Sequence, residues 1–221
     1  MRLKQYIIEA SNPKYPRTYH LPWSEEIHSD DKVYKNVEFF VNKKLAISVK
    51  MDGSNVGLSF ETVSSRAGIP PKHPSFNMLK QKYATIKNDI PENMIFYGEW
   101  LYAVHSIEYD LLDDYLMIFA ILENRTKWLS VNDVIGYSDL LGVSTVPFLT
   151  KNIKFKSVEE LQRKTTEIAR KVIRQGHEGI VIRLANSFTD FPRSTAKFVR
   201  KGHVQSSKHW KYEKIKVQKL R

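Results

Sequence analysis

The sequence predicts an α+β protein in which mostly antiparallel sheets carry flanking helices. Strand-like runs outnumber helical ones, several lie close enough in sequence to pair as neighbours, and the helical stretches bring their own start and stop signals. Six strands are expected, at about Val37–Asn42, Leu45–Lys50, Val56–Thr62, Met94–Leu101, Tyr115–Leu122 and Gly179–Leu184. Each is an alternating or continuous apolar run of strand length. Asp52-Gly53, after the second run, is a tight-turn signature and predicts a hairpin there.

Three helices interrupt the strands. Phe76–Ile90 places Met78, Leu79, Tyr83 and Ile86 at helical spacing and is followed by Pro91. The second helix opens on Ser130 with Asp133 three residues on, and ends at Gly142. The third repeats the device with Ser157 and Glu160, carries Val158, Leu161, Ile168 and Val172 on one face, and stops at Gly176. Ahead of all of these, Ser11–Glu26 is rich in proline and aromatic residues and predicts an irregular lead-in with Leu21 and Trp23 packed down.

Composition bounds the function. An apolar fraction of 42% over 221 residues is enough for a folded core. With no cysteine, disulfides and thiolate metal sites are excluded, which suits a reducing compartment. The start, MRLKQYIIEA, lacks the apolar core of a signal peptide, and the apolar run Leu116–Leu122 is too short to span a bilayer. An intracellular, cytoplasmic protein without membrane contact is expected. The net charge is +11, and Lys197–Arg221 holds nine basic residues against one acidic, Glu213. Such a run is either a solvated face or a surface that displaces counterions from nucleic acid phosphates.

One stretch asks for chemistry. In SVKMDGSNVGLSF, Lys50 stands two residues before Asp52-Gly53. K-x-D-G arises by accident in roughly one chain in twenty of this length, so the motif needs company. A lysine becomes a nucleophile when burial or a neighbouring cation removes its proton, and attack on phosphorus also needs cations and the carboxylates that hold them. Two glutamates answer: Glu99 inside the apolar run FYGEW, and Glu178 before Gly179 in GHEGIVIRL. Buried carboxylates require partners.

The ordered set KMDG, FYGEW, LMIFAIL, EGIVIR and AKFVRK resembles the motifs of the covalent lysyl-AMP nucleotidyltransferases, which comprise DNA ligases, RNA ligases and mRNA capping enzymes. The stretches KYPRTYHLPWSEE, HPSFNML, YGEWLYAVHSIEYD and KFVRKGHVQSSKHW are most similar to ATP-dependent RNA ligases. The likeness runs from Lys14 to Trp210, with 128 residues between Lys50 and Glu178. It implies a nucleotidyltransferase (ATP-grasp-like ligase) fold and a reaction in three steps. Lys50 attacks the α-phosphorus of ATP, the AMP passes to an RNA 5′-phosphate, and a 3′-hydroxyl displaces it.

The resemblance also implies roles. Glu99 matches the glutamate that reads the nucleotide ribose, and Glu178 the one that helps hold a divalent cation, Mg2+ or Mn2+. Asp52 joins that metal or orients Lys50, so Asp52, Glu99 and Glu178 form the expected metal set. Gly53 lets the backbone turn tightly beside the nucleotide. Phe119 matches the ring that stacks on adenine, Arg66 a contact to ribose or the RNA end, and His20 the base-proximal segment. Lys197 contacts the α-phosphate and is expected to depress the pKa of Lys50. Many relatives read Lys-x-Lys at this motif; here Val199 fills the second slot, leaving Arg200 or Lys201 as the second cation.

One adenylyltransferase domain over residues 1–221 is expected. Only 20 residues follow Lys201, whereas the five strands of an OB-fold need roughly 25 to 30. The expected partners of this monomer are RNA ends, single-stranded or nicked in a duplex, and a protein that grips the RNA. Other readings are an RNA-binding module with unused catalytic residues and a nick-sealing ligase on RNA–DNA hybrids. His203 and His209 do not fit a metal pair, and Trp210 reads as core.

Overall fold

The chain builds two sheets and passes from the first to the second directly after Lys50. The computed structural model describes residues 11–202 and 215–221; His203, His209, Trp210 and Lys214 lie outside them. The first sheet sets β1 (Tyr19–His20) beside β11 (Thr195–Val199), β10 (Gly179–Leu184), β2 (Leu45–Lys50) and β9 (Phe148–Ile153), in that order. The second has the order β4 (Val63–Ser65), β3 (Ser54–Ser59), β5 (Met94–Trp100), β6 (Leu116–Glu123) and β7 (Lys127–Trp128), with β8 (Ser144–Thr145) also against β6. The ladders are antiparallel except β1 with β11 and β6 with β8.

Asp52-Gly53 therefore makes no hairpin. β2 pairs with β10 and β9, whereas β3 pairs with β4 and β5. The dipeptide is a crossing between sheets, which local turn chemistry does not distinguish from a hairpin. Val37–Phe40 is a 3-10 turn rather than a strand: Val37 and Phe40 bury at a spacing of three, which one helical face satisfies and an alternating strand does not.

The helices follow their caps. α1 covers Asn77–Ile86, α2 Val131–Leu140, α3 Val158–Arg174 and the short α4 Phe191–Ser194. The Ser130 hydroxyl accepts from Asp133 N–H at 3.2 Å, and the Ser157 hydroxyl from Glu160 N–H at 3.2 Å. Gly142 and Gly176 end α2 and α3 in the left-handed region, at φ +63° and +90°. α3 buries Leu161, Thr165, Ala169 and Val172. That stripe packs into one core with Ile47, Ile180 and Phe198 of the first sheet. α1 and α2 contribute Leu79 and Val134 to a second core with Val56, Phe96 and Ile118. Met78, expected on the inner face of α1, is 46% exposed.

Two devices bind the sheets and the lead-in together. Arg183 of β10 is buried and donates to the carbonyls of Phe119 at 3.1 Å and Leu129 at 2.6 Å, so first-sheet side chain meets second-sheet backbone. Burial draws its guanidinium down to about 10. Leu21 is fully buried, and Trp23 Nε1 donates to Thr165 Oγ1 at 3.0 Å, so the lead-in packs down as expected. No helix among the described residues is long and apolar enough to cross a membrane.

Leu161 is fully buried at the α3–sheet contact. Leu161→Ala should lower unfolding free energy by about 3 kcal/mol, read as a lower urea midpoint.

Candidate active site

The end of β2 fixes the first residues of the site. Lys50 lies opposite Gly179 in the β2–β10 register, which brings Glu178, the residue before β10, beside it. Lys50 Nζ meets Glu178 Oε2 at 2.5 Å, and Glu178 is only 3% exposed. Glycine is required at 179 because a Cβ would stand 2.0 Å from the Phe198 carbonyl oxygen in the adjoining strand. Gly53 answers a similar constraint: a Cβ there would lie 2.6 Å from Trp100 O, and its N–H donates to Glu99 Oε1 at 3.1 Å. Its expected tight turn is thus a close approach of the crossing segment to β5.

Asp52 is held from below. Its Oδ2 accepts from Ser106 N at 2.8 Å, Ser106 Oγ at 2.8 Å and Ile107 N at 2.9 Å. Its own N–H donates to the Tyr109 hydroxyl at 2.9 Å. The expected metal trio of Asp52, Glu99 and Glu178 is thus divided among other duties: Asp52 on this loop, Glu178 on Lys50, Glu99 on Gly53. No group of three or more histidine, aspartate or glutamate side chains able to hold a metal occurs among the described residues.

Charge is crowded here. Burial opposes the Lys50 ammonium, but Glu178, Glu99 and Asp52 outweigh it and hold its pKa above the ordinary value. Lys197, expected to depress Lys50, opposes its charge, but three carboxylates face that one neighbouring cation, so the net shift of Lys50 is upward. The depression falls on Lys197 instead, through burial first and the charge of Lys50 second. Glu99 is pushed up to about 7, by burial first; Glu178 and Asp52 add to the rise while Lys50 and the Gly53 N–H oppose it.

β11 lines the other wall. His20 of β1 pairs in register with Lys197. Its Nδ1 lies 3.2 Å from Ser24 Oγ, and its Nε2 3.3 Å from Asp31. Burial and the Lys197 charge draw His20 down to about 4, so it is neutral near pH 7. Ser24 Oγ is itself tied to the Val199 backbone, donating to O at 3.3 Å and accepting from N at 2.9 Å. Serine, histidine and aspartate thus form a brace for β11. Arg200 faces the cleft with a buried Nε that has no hydrogen-bond partner among the described residues, whereas Lys201 is exposed on the following turn.

All ten expected site residues, Lys50, Asp52, Gly53, Arg66, Glu99, Phe119, Glu178, Lys197, Arg200 and His20, line one cleft of about 1680 Å³ between the sheets. Arg66 sits exposed at its rim and Phe119 is partly buried within it. Sequence reasoning missed Tyr15, whose ring meets Phe119 edge-on at 5.1 Å and also packs on Tyr97, Trp128 and Phe191. It also missed Asp31 and the loop Ser106–Tyr109. The aromatic-rich lead-in was the available signal for Tyr15; for the loop it was the family-like stretch YGEWLYAVHSIEYD, which contains Ser106–Tyr109. The basic tail differs as well: Lys216 pairs with Glu108, and Lys219 and Arg221 lie 3.3 Å from Asp110 and Asp113.

The fold is shared with solved ligases. An archaeal ATP-dependent RNA ligase superposes with a TM-score of 0.57 at 16% identity, over 85% of this chain and 48% of that one. A candidate ATP-dependent DNA ligase from Aquifex aeolicus gives 0.60 at 15% identity, over 87% and 53%. A Naegleria gruberi RNA ligase mutant solved with ATP and Mn gives 0.52 at 14%, over 76% and 53%. The chain thus spans about half the length of these structures. No curated protein sequence matches it. The sequence model of the RNA ligase family matches residues 43–199, well over half of the chain, which therefore belongs to the RNA ligase family.

Proposed function

We propose that this protein is an ATP-dependent RNA ligase that joins RNA 3′-hydroxyl and 5′-phosphate ends through a lysyl-AMP intermediate on Lys50. The observation that carries the reading is the Lys50–Glu178 contact of 2.5 Å in a cleft that also presents Lys197 and Arg200. A binding surface has no need of a buried lysine with a second cation and carboxylates beside it; an amine that attacks phosphorus uses the cation to lose its proton and the carboxylates to hold a divalent ion.

ATP would lie with its base against Phe119 and Tyr15 and its ribose at Glu99. Its phosphates would face Lys197 and Arg200, whose unpartnered Nε suits an anionic oxygen and makes it the better second cation. Glu178 and Glu99 carry the oxygen donors that suit Mg2+ or Mn2+ shared with substrate phosphates. Such an ion would neutralise phosphate charge and compete with Lys50 for the Glu178 carboxylate. Lys197 beside Lys50 opposes the ammonium charge and so favours release of the Lys50 proton to solvent. The Lys50 lone pair then forms the N–P bond as the bond from the α-phosphorus to pyrophosphate breaks. An RNA 5′-phosphate oxygen next takes the AMP from Lys50. Finally a 3′-hydroxyl attacks that phosphate, and AMP leaves.

Incubation with ATP labelled at the α-phosphate, followed by denaturing electrophoresis, tests the first step. Acid-labile label on the wild type and none on Lys50→Ala is expected; label on Lys50→Ala would remove the nucleophile assignment, and none on either protein with both metals would favour a binding module. Phe119→Ala should keep the fold and raise the KM for ATP about tenfold, the weight of one stacked base. Glu99 gives a pH test. Its proton is held to about pH 7 in the folded chain against 4.5 ordinarily, so its burial costs stability progressively as pH rises from 4.5 to 7. Glu99→Gln should therefore raise the thermal midpoint by several degrees at pH 8, with the gain fading towards pH 4, while slowing Lys50 labelling.

A further inference from the structure

The segment 215–221 takes no part in the proposed chemistry, yet it is fastened to the chain between Tyr102 and Tyr115 along its length. Val104 N donates to Lys216 O at 2.8 Å, Gln218 N to Tyr102 O at 2.9 Å, Leu112 N to Lys219 O at 3.0 Å and Arg221 N to Leu112 O at 3.0 Å. Lys216, Lys219 and Arg221 add ion pairs to Glu108, Asp110 and Asp113. These pairs are exposed and contribute little individually.

The buried centre is Gln218, at 2% exposure. Its Oε1 accepts from Tyr109 N at 2.7 Å, its Nε2 donates to Ile107 O at 2.8 Å, and its own carbonyl accepts from the Tyr115 hydroxyl at 3.0 Å. Both faces of the amide are matched, which fixes its orientation and makes its loss expensive for the loop backbone. The two residues it grips are two of the three that reach Asp52: Ile107 through its N–H to Oδ2, and Tyr109 through the hydroxyl that accepts Asp52 N–H, with Ser106, next to Ile107, as the third. Asp52 in turn is two residues from Lys50 on the crossing segment.

We infer that Gln218 is a positioning residue for the adenylylation site: by holding Ile107 and Tyr109 it fixes Asp52, and with it the KMDG segment that aims Lys50. Its catalytic consequence rests on the ligase reading above. Small misplacements of an attacking group are costly, because the reaction depends on a near-attack geometry.

The test compares wild type with Gln218→Ala by backbone amide exchange and by Lys50 labelling. Exchange at Ser106 and Ile107, the amides that donate to Asp52, should rise about tenfold while β10 and α3 keep their protection. The labelling rate at saturating ATP should fall about tenfold with the ATP KM within about twofold. Should Gln218→Ala fail to fold, Tyr109→Phe decides the same link, since it removes only the hydroxyl: exchange at Asp52 N–H should rise and labelling slow. Exchange at these amides within about twofold of wild type, or an unchanged labelling rate at saturating ATP, overturns the inference. A wild type that takes no label defeats the ligase reading, and the exchange data then decide alone whether Gln218 fixes Asp52.

Discussion

The site depends on one constraint: the chain must leave the first sheet and enter the second within the three residues that separate Lys50 from Ser54. Both strands are held in register by their own neighbours, β10 on one side and β5 on the other. The crossing segment therefore has no freedom to drift. It brings three carboxylates from three places to one lysine: Asp52 by adjacency, Glu178 by the β10 register and Glu99 through Gly53. Close packing at Gly53 and Gly179, where a Cβ would meet a backbone carbonyl, shows how little slack the arrangement has.

Electrostatics follow from that crowding. Three acids around one ammonium keep Lys50 protonated, while burial first, and Glu178 and Asp52 after it, raise Glu99 towards neutrality. In this resting state the lysine is a poor nucleophile and a good counter-ion. Under the proposed ligase reading, the amine becomes available only when incoming charge rearranges the pairing. The local cost of ionised Glu99 falls on folding, and the two cores, with the Arg183 link between sheets, offset it elsewhere in the molecule.

Much of this was legible in the sequence, and the misses share a cause. Capping boxes located α2 and α3 because hydroxyl caps are local chemistry. The residues Lys50, Glu99 and Glu178 could be read because a lysine before Asp-Gly and a glutamate in an apolar strand are each conspicuous. What failed was long-range. A hairpin and a sheet crossing use the same Asp-Gly signal, and only pairing partners far along the chain separate them. Likewise Val37–Phe40 has strand composition, but its burial at i and i+3 is set by the core it meets. Local patterning does not mark Ser106 or Ile107, which act on Asp52 through backbone N–H groups that every residue carries and through one serine hydroxyl. The tail's charge was visible as a count, but its acidic partners at 108, 110 and 113 lie about a hundred residues away.

Arg183 and Gln218 solve related problems in different ways. Each is a buried polar side chain spent on backbone atoms of a distant segment. Arg183 fastens β10 to the carbonyl of Phe119, so the strand after Glu178 and the ring assigned to the base cannot separate without stranding a buried guanidinium. Gln218 does the same for the loop under Asp52 with neutral hydrogen bonds, which are cheaper to break. Under the proposed reading, the wall that faces the base is therefore clamped by a buried charge, while the segment that carries Lys50 is supported through neutral hydrogen bonds.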